Sequence, residues 1–220
     1  ISEIFMARLN TTNVLCYFTH SGVDDMADNT CHYGLNLFFC DNGLAEHGAC
    51  PLYFPGEPTQ AAKVTEKIFF DKGMRFLFSL RSKCPQLIGE NGQPYYTDSY
   101  VFQPGKDEEL IPGTLGYVVS FADALYRAHD AVLRLRQLGL DVGLINKVTL
   151  NICDEQMTRK VGSTKFCLVS EPINRKTGLG IHYVYNLFRL GARCKYDHIG
   201  VHKDGAGGLW EHAYHHGYDS

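Results

Sequence analysis

From residue 116 onward, short apolar runs and longer amphipathic stretches take turns, and few folds accept that pattern. "GYVVSF" reads as a buried strand. "ADALYRAHDAVLRLRQLG" reads as a helix, with Leu125, Ala128, Val132 and Leu135 on one face and Gly139 as its stop. "DVGLINKVTL" is a second strand. "DEQMTRKVG" is a short helix with two acids at its positive end. "KFCLVSE" is a third strand, "TGLGIHYVYNLFRLG" a helix, and "GLWEHAYHHGY" a closing helix. Strands that alternate with helices are joined by crossovers, so they predict parallel sheets with helices packed on them.

The first half repeats the theme less cleanly. "NVLCYFTH" and "CPLYFP" are strands, the latter closed by Pro55, and "MRFLFSL" is a third, rich in aromatics. "EPTQAAKVTEKIFFD" has helical periodicity behind Pro58, which suits a first-turn proline. The segment from 89 to 114 collects turn residues, prolines and acids, and it reads as a linker. A chain of 220 residues accommodates two small domains. The expectation is therefore an α/β protein of two domains, 1–105 and 106–220, with mainly parallel sheets flanked by helices.

Bulk properties exclude more than they identify. A net charge of −3 gives no nucleic-acid footprint. No apolar run is long enough to span a membrane, and "ISEIFMARLN" lacks the basic head and apolar core of a signal peptide. The eight cysteines form no CxxC pair and no zinc spacing, and Cys16, Cys40 and Cys167 sit in apolar runs. A reduced chain of the cytoplasm or an organelle matrix is expected, with no resident metal.

The stretch "THSGVDDMADNTCH", 19–32, sets two histidines around a group of aspartates directly behind a strand. Such residues are ordinary turn formers, and Asp24 and Asp25 are read that way. His47 and His129 are read as surface or helix residues. His212 and His216 are one helical turn apart, but no acid sits between them in an H-E-x-x-H pattern, and "DGAGG" lacks Walker spacing. The histidines are assigned to an incidental terminus, "DGAGG" to a turn needed for packing, and Trp210 to a core or interface anchor.

At the level of motifs the chain resembles the transketolase family. "FADALYRAHDAVLRLRQLGLDVGLINKVTLNICDEQM" is similar to the start of that family's carboxy-terminal domain, ending in the Asp154-Glu155-Gln156 triplet. His20 and His32 are separated by eleven residues, as the two histidines of the family's T-H-D-S-I-G-L-G-E-D-G-P-T-H-Q segment are, and Asp28 falls on its aspartate. "FSLRSKCPQL" resembles L-S-R-Q-N-L-P-Q-L, with Arg81 on the arginine, and "YFPGEP" resembles the R-P-A-D segment. The resemblance covers nearly the whole chain. It departs inside the loop, where Ala27 replaces a glutamate and Asn29-Thr30 replace Gly-Pro.

The resemblance implies the latter part of the pyrimidine-binding domain at 1–105 and the carboxy-terminal domain at 106–220. It implies thiamine diphosphate and Mg²⁺ as cofactors, bound mainly by parts outside this chain. The family's activating glutamate and its diphosphate domain fall upstream of the matching segment. It implies that His32 and Asp28 are catalytic and that His20 and Arg81 hold the phosphate of a sugar phosphate, a guanidinium fork suiting that role. The expected function is the carboxy-terminal part of an enzyme transferring two-carbon ketol units between sugar phosphates. It would be completed as a homodimer or by a partner chain carrying the diphosphate-binding domain. Two alternatives stand beside it: a non-catalytic interaction subunit of the same fold, and a protein like the beta subunit of a 2-oxo-acid dehydrogenase.

Overall fold

All three strands expected after residue 115 are present in the computed structural model, which describes residues 2–10, 12–22, 34–41, 50–80 and 83–202. In chain order, the elements of the first half are α1 (Ser2–Leu9), β1 (Val14–Phe18), a 3-10 turn at Leu37–Cys40, β2 (Leu52–Tyr53), α2 (Pro58–Ile68) and β3 (Met74–Phe78). The second half holds β4 (Glu108–Ile111), β5 (Gly116–Ser120), α3 (Ala124–Gln137), β6 (Val142–Asn146), α4 (Glu155–Gly162), β7 (Phe166–Asn174), α5 (Leu179–Arg189) and β8 (Lys195–Val201). No described helix is long and apolar enough to cross a membrane.

The strands form two sheets. The first has order β1-β3-β2, with both pairings parallel. The second has order β4-β6-β5-β7-β8 and is parallel except for β4, which runs antiparallel to β6 along one edge. The protein is thus α/β, with mainly parallel sheets flanked by helices. Strands β5 and β6 are buried on both faces, as parallel strands under helices on each side must be. Val118 and Leu144 face α3 with its Leu125, Ala128 and Val132. Val119 and Ile145 face the other way, into a core shared with Val161 of α4 and with Leu179 and Tyr183 of α5.

That second core does not stop at the sheet. It continues into Leu52, Phe54, Phe76 and Phe78 of the first half. Main-chain bonds follow it across: the Phe54 amide donates to the Val148 carbonyl (2.9 Å), and the Leu150 amide donates to the Leu52 carbonyl (2.8 Å). The strand read through to residue 150 therefore leaves its own sheet after Asn146 and binds β2 instead.

One expectation needs correction: the segment read as a linker contains β4, paired to β6 from Glu108 to Ile111. His129 lies on α3, as read, and is buried there, edge-on to Tyr95 at 5.6 Å. Helix α1 and strand β8 were not anticipated. The closing helix, the His212–His216 pair, "DGAGG", Trp210, His47, Asp24 and Asp25 lie outside the described residues. So do Ala27, Asn29 and Thr30.

Candidate functional site

Parallel strands deliver their carboxy ends to one side, where α/β proteins bind ligands. Here the carboxy ends of β1 and β3 meet those of β5 and β7. Beyond β1, His20 takes a positive φ of 59°, a region that residues other than glycine seldom occupy. Its Nδ1 lies 2.7 Å from the Thr19 hydroxyl oxygen. The Ser21 amide donates to the Ser79 carbonyl beyond β3 (3.1 Å), and the Gly22 amide donates to the Gly34 carbonyl (3.0 Å). The two ends of the histidine-bearing loop are thereby fixed together beside β3.

Both glycines are needed there. Gly22 has φ 94°, and a Cβ on Gly34 would stand 3.0 Å from the His20 carbonyl oxygen. A Cβ on Gly22 would lie 3.6 Å from Leu80, 3.6 Å from Pro172 and 3.5 Å from an Asp123 carboxylate oxygen. In the second sheet, β5 is followed by a neighbour on one side and β7 by a neighbour on the other. The crevice between them is a topological switch point, the usual ligand position in such sheets. Asp123 follows β5 and Pro172 belongs to β7, so Gly22 stands at that crevice. The Asn174 amide ties the far end by donating to the Leu35 carbonyl (3.0 Å).

Beside this junction is a cleft of about 450 Å³, lined by Pro55, Glu57, Pro58, Leu80 and Lys83 among others. Its walls are held from α3. The Tyr126 O–H is shared between the carbonyls of Gly56 (2.9 Å) and Pro85 (2.7 Å). Glu57 caps α2, its Oε1 accepting the Gln60 amide at 2.6 Å, with Pro58 in the first turn. Glu57 is only 3% exposed. Burial pushes its carboxyl above the usual range, against the pull of the Gln60 and Thr59 amides.

Of the residues singled out in the sequence, His20 is placed at this junction. Asp28, His32 and Arg81 lie outside the described residues. Leu80, which precedes Arg81, stands against Gly22 and lines the cleft. Sequence reasoning missed Glu57, Lys83 and Asp123. Glu57 had a signal: it is an acid before a helix-opening proline, in a segment already noted for its resemblance.

No protein-family model matches the chain. Among curated proteins it is similar to one of the subunits of an apulose-4-phosphate transketolase from Actinobacillus succinogenes, 22% identical over 215 residues, which is 96% of this chain. The chain spans 66% of the length of that relative. Among solved structures it is similar to a split gene transketolase described as an inactive beta4 tetramer. The TM-score is 0.76 at 16% identity, over 99% of this chain and 67% of that one. The fold is transketolase-like, and the two likenesses support a transketolase-family relationship.

Proposed function

We propose that this chain is the carboxy-terminal part of a thiamine-diphosphate-dependent enzyme moving two-carbon ketol units between sugar phosphates. It is incomplete by itself and works with a partner chain or a further segment carrying the diphosphate site. One observation carries the reading. The loop that begins at His20 is pinned at both ends between the carboxy end of β3 and the switch point of the second sheet. Functional residues are often carried on loops positioned by a rigid scaffold, and the ends of this segment are so positioned.

The roles follow from the resemblance and from the chemistry of each side chain. His32 moves protons at the reacting carbons, since an imidazole titrates near neutral pH. Asp28 accepts a hydrogen bond from a donor-sugar hydroxyl. His20 and Arg81 hold the phosphate at the other end. Thiamine diphosphate would act as electron sink for the cleaved bond. Among the described residues no three His, Cys, Asp or Glu side chains are placed to hold a metal ion. By the resemblance, anchoring of the Mg²⁺-diphosphate belongs mainly to parts outside this chain. The solved neighbour, an inactive assembly of beta chains, suits a chain that needs a partner to act. A domain division at 105/106 belongs to the same proposal, since the change of sheet falls between β3 and β4.

The test is reconstitution. The chain is mixed with an amino-terminal transketolase half, thiamine diphosphate and Mg²⁺, and ketol transfer from a ketose phosphate to an aldose phosphate is followed. Activity is expected in the mixture and in neither component alone, and His32→Ala should lower turnover on the order of 10²-fold. A mixture that forms a stable complex but transfers nothing would replace this reading with that of an interaction subunit.

A further inference from the structure

Strand β8 ends the second sheet, and among the described strands only β7 pairs with it. Natural sheets blunt such an edge with proline or by keeping it short. β8 runs for seven residues without a proline. The Lys195 amide donates to the Lys165 carbonyl, and the Val201 carbonyl accepts the Arg175 amide, so the odd-numbered residues turn their main chain toward β7. Alternation turns the amides and carbonyls of Tyr196, His198 and Gly200 outward. The His198 amide is met there by the Asp197 carboxylate at 2.8 Å, a contact within the strand itself. Side chains alternate too. Tyr196 and His198 face α5: the Tyr196 O–H donates to the Gly180 carbonyl, and a Cβ on Gly180 would stand 2.8 Å from the His198 ring. Lys195, Asp197 and Ile199 are exposed on the opposite face. Helix α5 is also open on this side. His182 stacks on Phe38 of the first half at 4.1 Å, while Gly180 meets β8. At 3.6 residues per turn, Ile181 and Phe188 point outward on the Gly180 side, with Tyr185 beside them. They are 44%, 84% and 64% exposed, an apolar stripe next to a free strand edge.

We propose that the β8 edge docks a second copy of this chain, the two strands pairing antiparallel about a twofold axis at Tyr196. Charge selects both the occupant and the register. Centred on Tyr196, Lys195 of each copy stands opposite Asp197 of the other, which gives two opposite-charge cross-strand pairs. Centred on Asp197, two carboxylates would face each other. Centred on His198, Lys195 would meet Val201 and Asp197 would meet Ile199. The main chain suits the first register. Tyr196 points its amide and carbonyl outward, so the two Tyr196 residues form a hydrogen-bonded pair, and the Lys195–Asp197 pairs fall at the flanking positions where side chains come closest. Asp197 exchanges the His198 amide for Lys195 of the second copy, and that amide passes to the second copy's Cys194 carbonyl. The helices fit the same axis. Strands lie about 4.8 Å apart, and α5 packs on β7 and β8. The two α5 helices would therefore run about 10 Å apart on one face of a continuous sheet, an ordinary distance for packed helices. Their Ile181 and Phe188 side chains would cover one another. The inference does not depend on the sugar-phosphate reading, because it concerns the lateral edge of the sheet and not the carboxy ends of its strands.

The test is sedimentation equilibrium on the full chain across micromolar concentrations. Wild type should show a monomer–dimer equilibrium. Lys195→Asp and Asp197→Lys should each weaken the dimer on the order of tenfold, because either exchange turns both cross-strand pairs into like-charge pairs. An equimolar mixture of the two variants should recover wild-type strength as a heterodimer, since each variant supplies the charge that the other lacks. That mixture guards against a folding defect, which a second damaged chain would not repair. The double variant Lys195→Asp, Asp197→Lys should dimerise as wild type does. Phe188→Glu, on the exposed side of α5, should abolish the dimer while leaving the circular dichroism spectrum unchanged. A monomeric wild type overturns the proposal. So does a dimer that keeps its strength in both single charge variants, or a mixture that associates no better than its components.

Discussion

Lys147 and Asp107 form the most deeply buried ion pair among the described residues, at 2.7 Å, with side chains 3% and 0% exposed. Burial lifts the Asp107 carboxyl above its usual range, and the Lys147 ammonium opposes that shift. Lys147 also donates to the Ile152 carbonyl at 2.8 Å. Removing one partner leaves the other charge without compensation, a larger loss than removing both. Lys147→Met should therefore cost about 3–5 kcal/mol, and the double variant Lys147→Met, Asp107→Asn should recover part of it. Urea denaturation midpoints of the three proteins check this, and a double variant as unstable as the single one rejects it. Neither residue announced itself in the sequence, because "GKDEEL" and "INKVTL" look like solvated charge and only the fold shows that their charges meet. The site was legible in the same uneven way. His20 is distinctive by its spacing to His32, which is a property of the chain. Glu57 and Asp123 depend on what stands opposite them, which is a property of the fold.

Helix α5 begins on a buried acid. Glu171, on β7, accepts the amides of Leu179 (2.5 Å) and Gly180 (3.3 Å), filling donors that a helix start leaves open. Burial nonetheless raises its carboxyl to about 8, the two amides only moderating the shift. A folded value above the unfolded one means that the contribution to stability is complete below the ordinary value of 4.5 and is lost as pH rises to about 8. Each unit of separation is worth about 1.4 kcal/mol, so several kcal/mol are at stake across that window. Denaturation midpoints of wild type should fall relative to Glu171→Gln between those two values, and a constant difference would show that Glu171 does not titrate there. Elements were easiest to read where the sequence had a period. Helices α2, α3 and α5 carry an apolar stripe, and β5 and β6 are unbroken apolar runs bounded by turns. Strand β4 was hidden because it carries Glu108 and Glu109 between Pro104 and Pro112, a composition that spells a loop. Its acids are matched from outside the strand: Tyr96 donates to Glu108 (2.6 Å) and Lys160 pairs with Glu109 (2.6 Å). Strand β8 lies at an edge with mostly exposed or half-buried residues, so its apolar signal is thin.

The whole molecule is fastened across its two sheets by a polar cluster around Glu108. Its Oε2 accepts from Tyr96 (2.6 Å) and from the Gln60 side chain of α2 (2.7 Å), and Tyr100 donates to its Oε1. Asn146 at the end of β6 donates to the Tyr96 oxygen at 2.7 Å. Gln60 faces both ways, because its own Oε1 accepts the Gly56 amide (2.9 Å) in the wall of the cleft. The cluster thus ties the ligand-facing end of α2 to the second sheet, in parallel with the main-chain bonds of Phe54 and Leu150 and the shared apolar core. Such ties predict one cooperative unfolding transition for both halves, with helix content and tyrosine fluorescence changing together. Glu108→Ala removes the acceptor that Tyr96, Tyr100, Gln60 and, at 3.4 Å, Asn146 share. Each donor left buried without a partner costs about 1–3 kcal/mol, so the midpoint should drop by several kcal/mol in stability. The two probes should also separate if the cluster is what couples the halves. Hydrogen exchange locates the change: amides of β2 and of the start of α2 should lose protection before those of β5 and β6. Two separate transitions already in the wild type would mean that the halves fold independently. Coincident probes in Glu108→Ala would place the coupling in the shared core around Phe54, Phe78 and Phe121 instead.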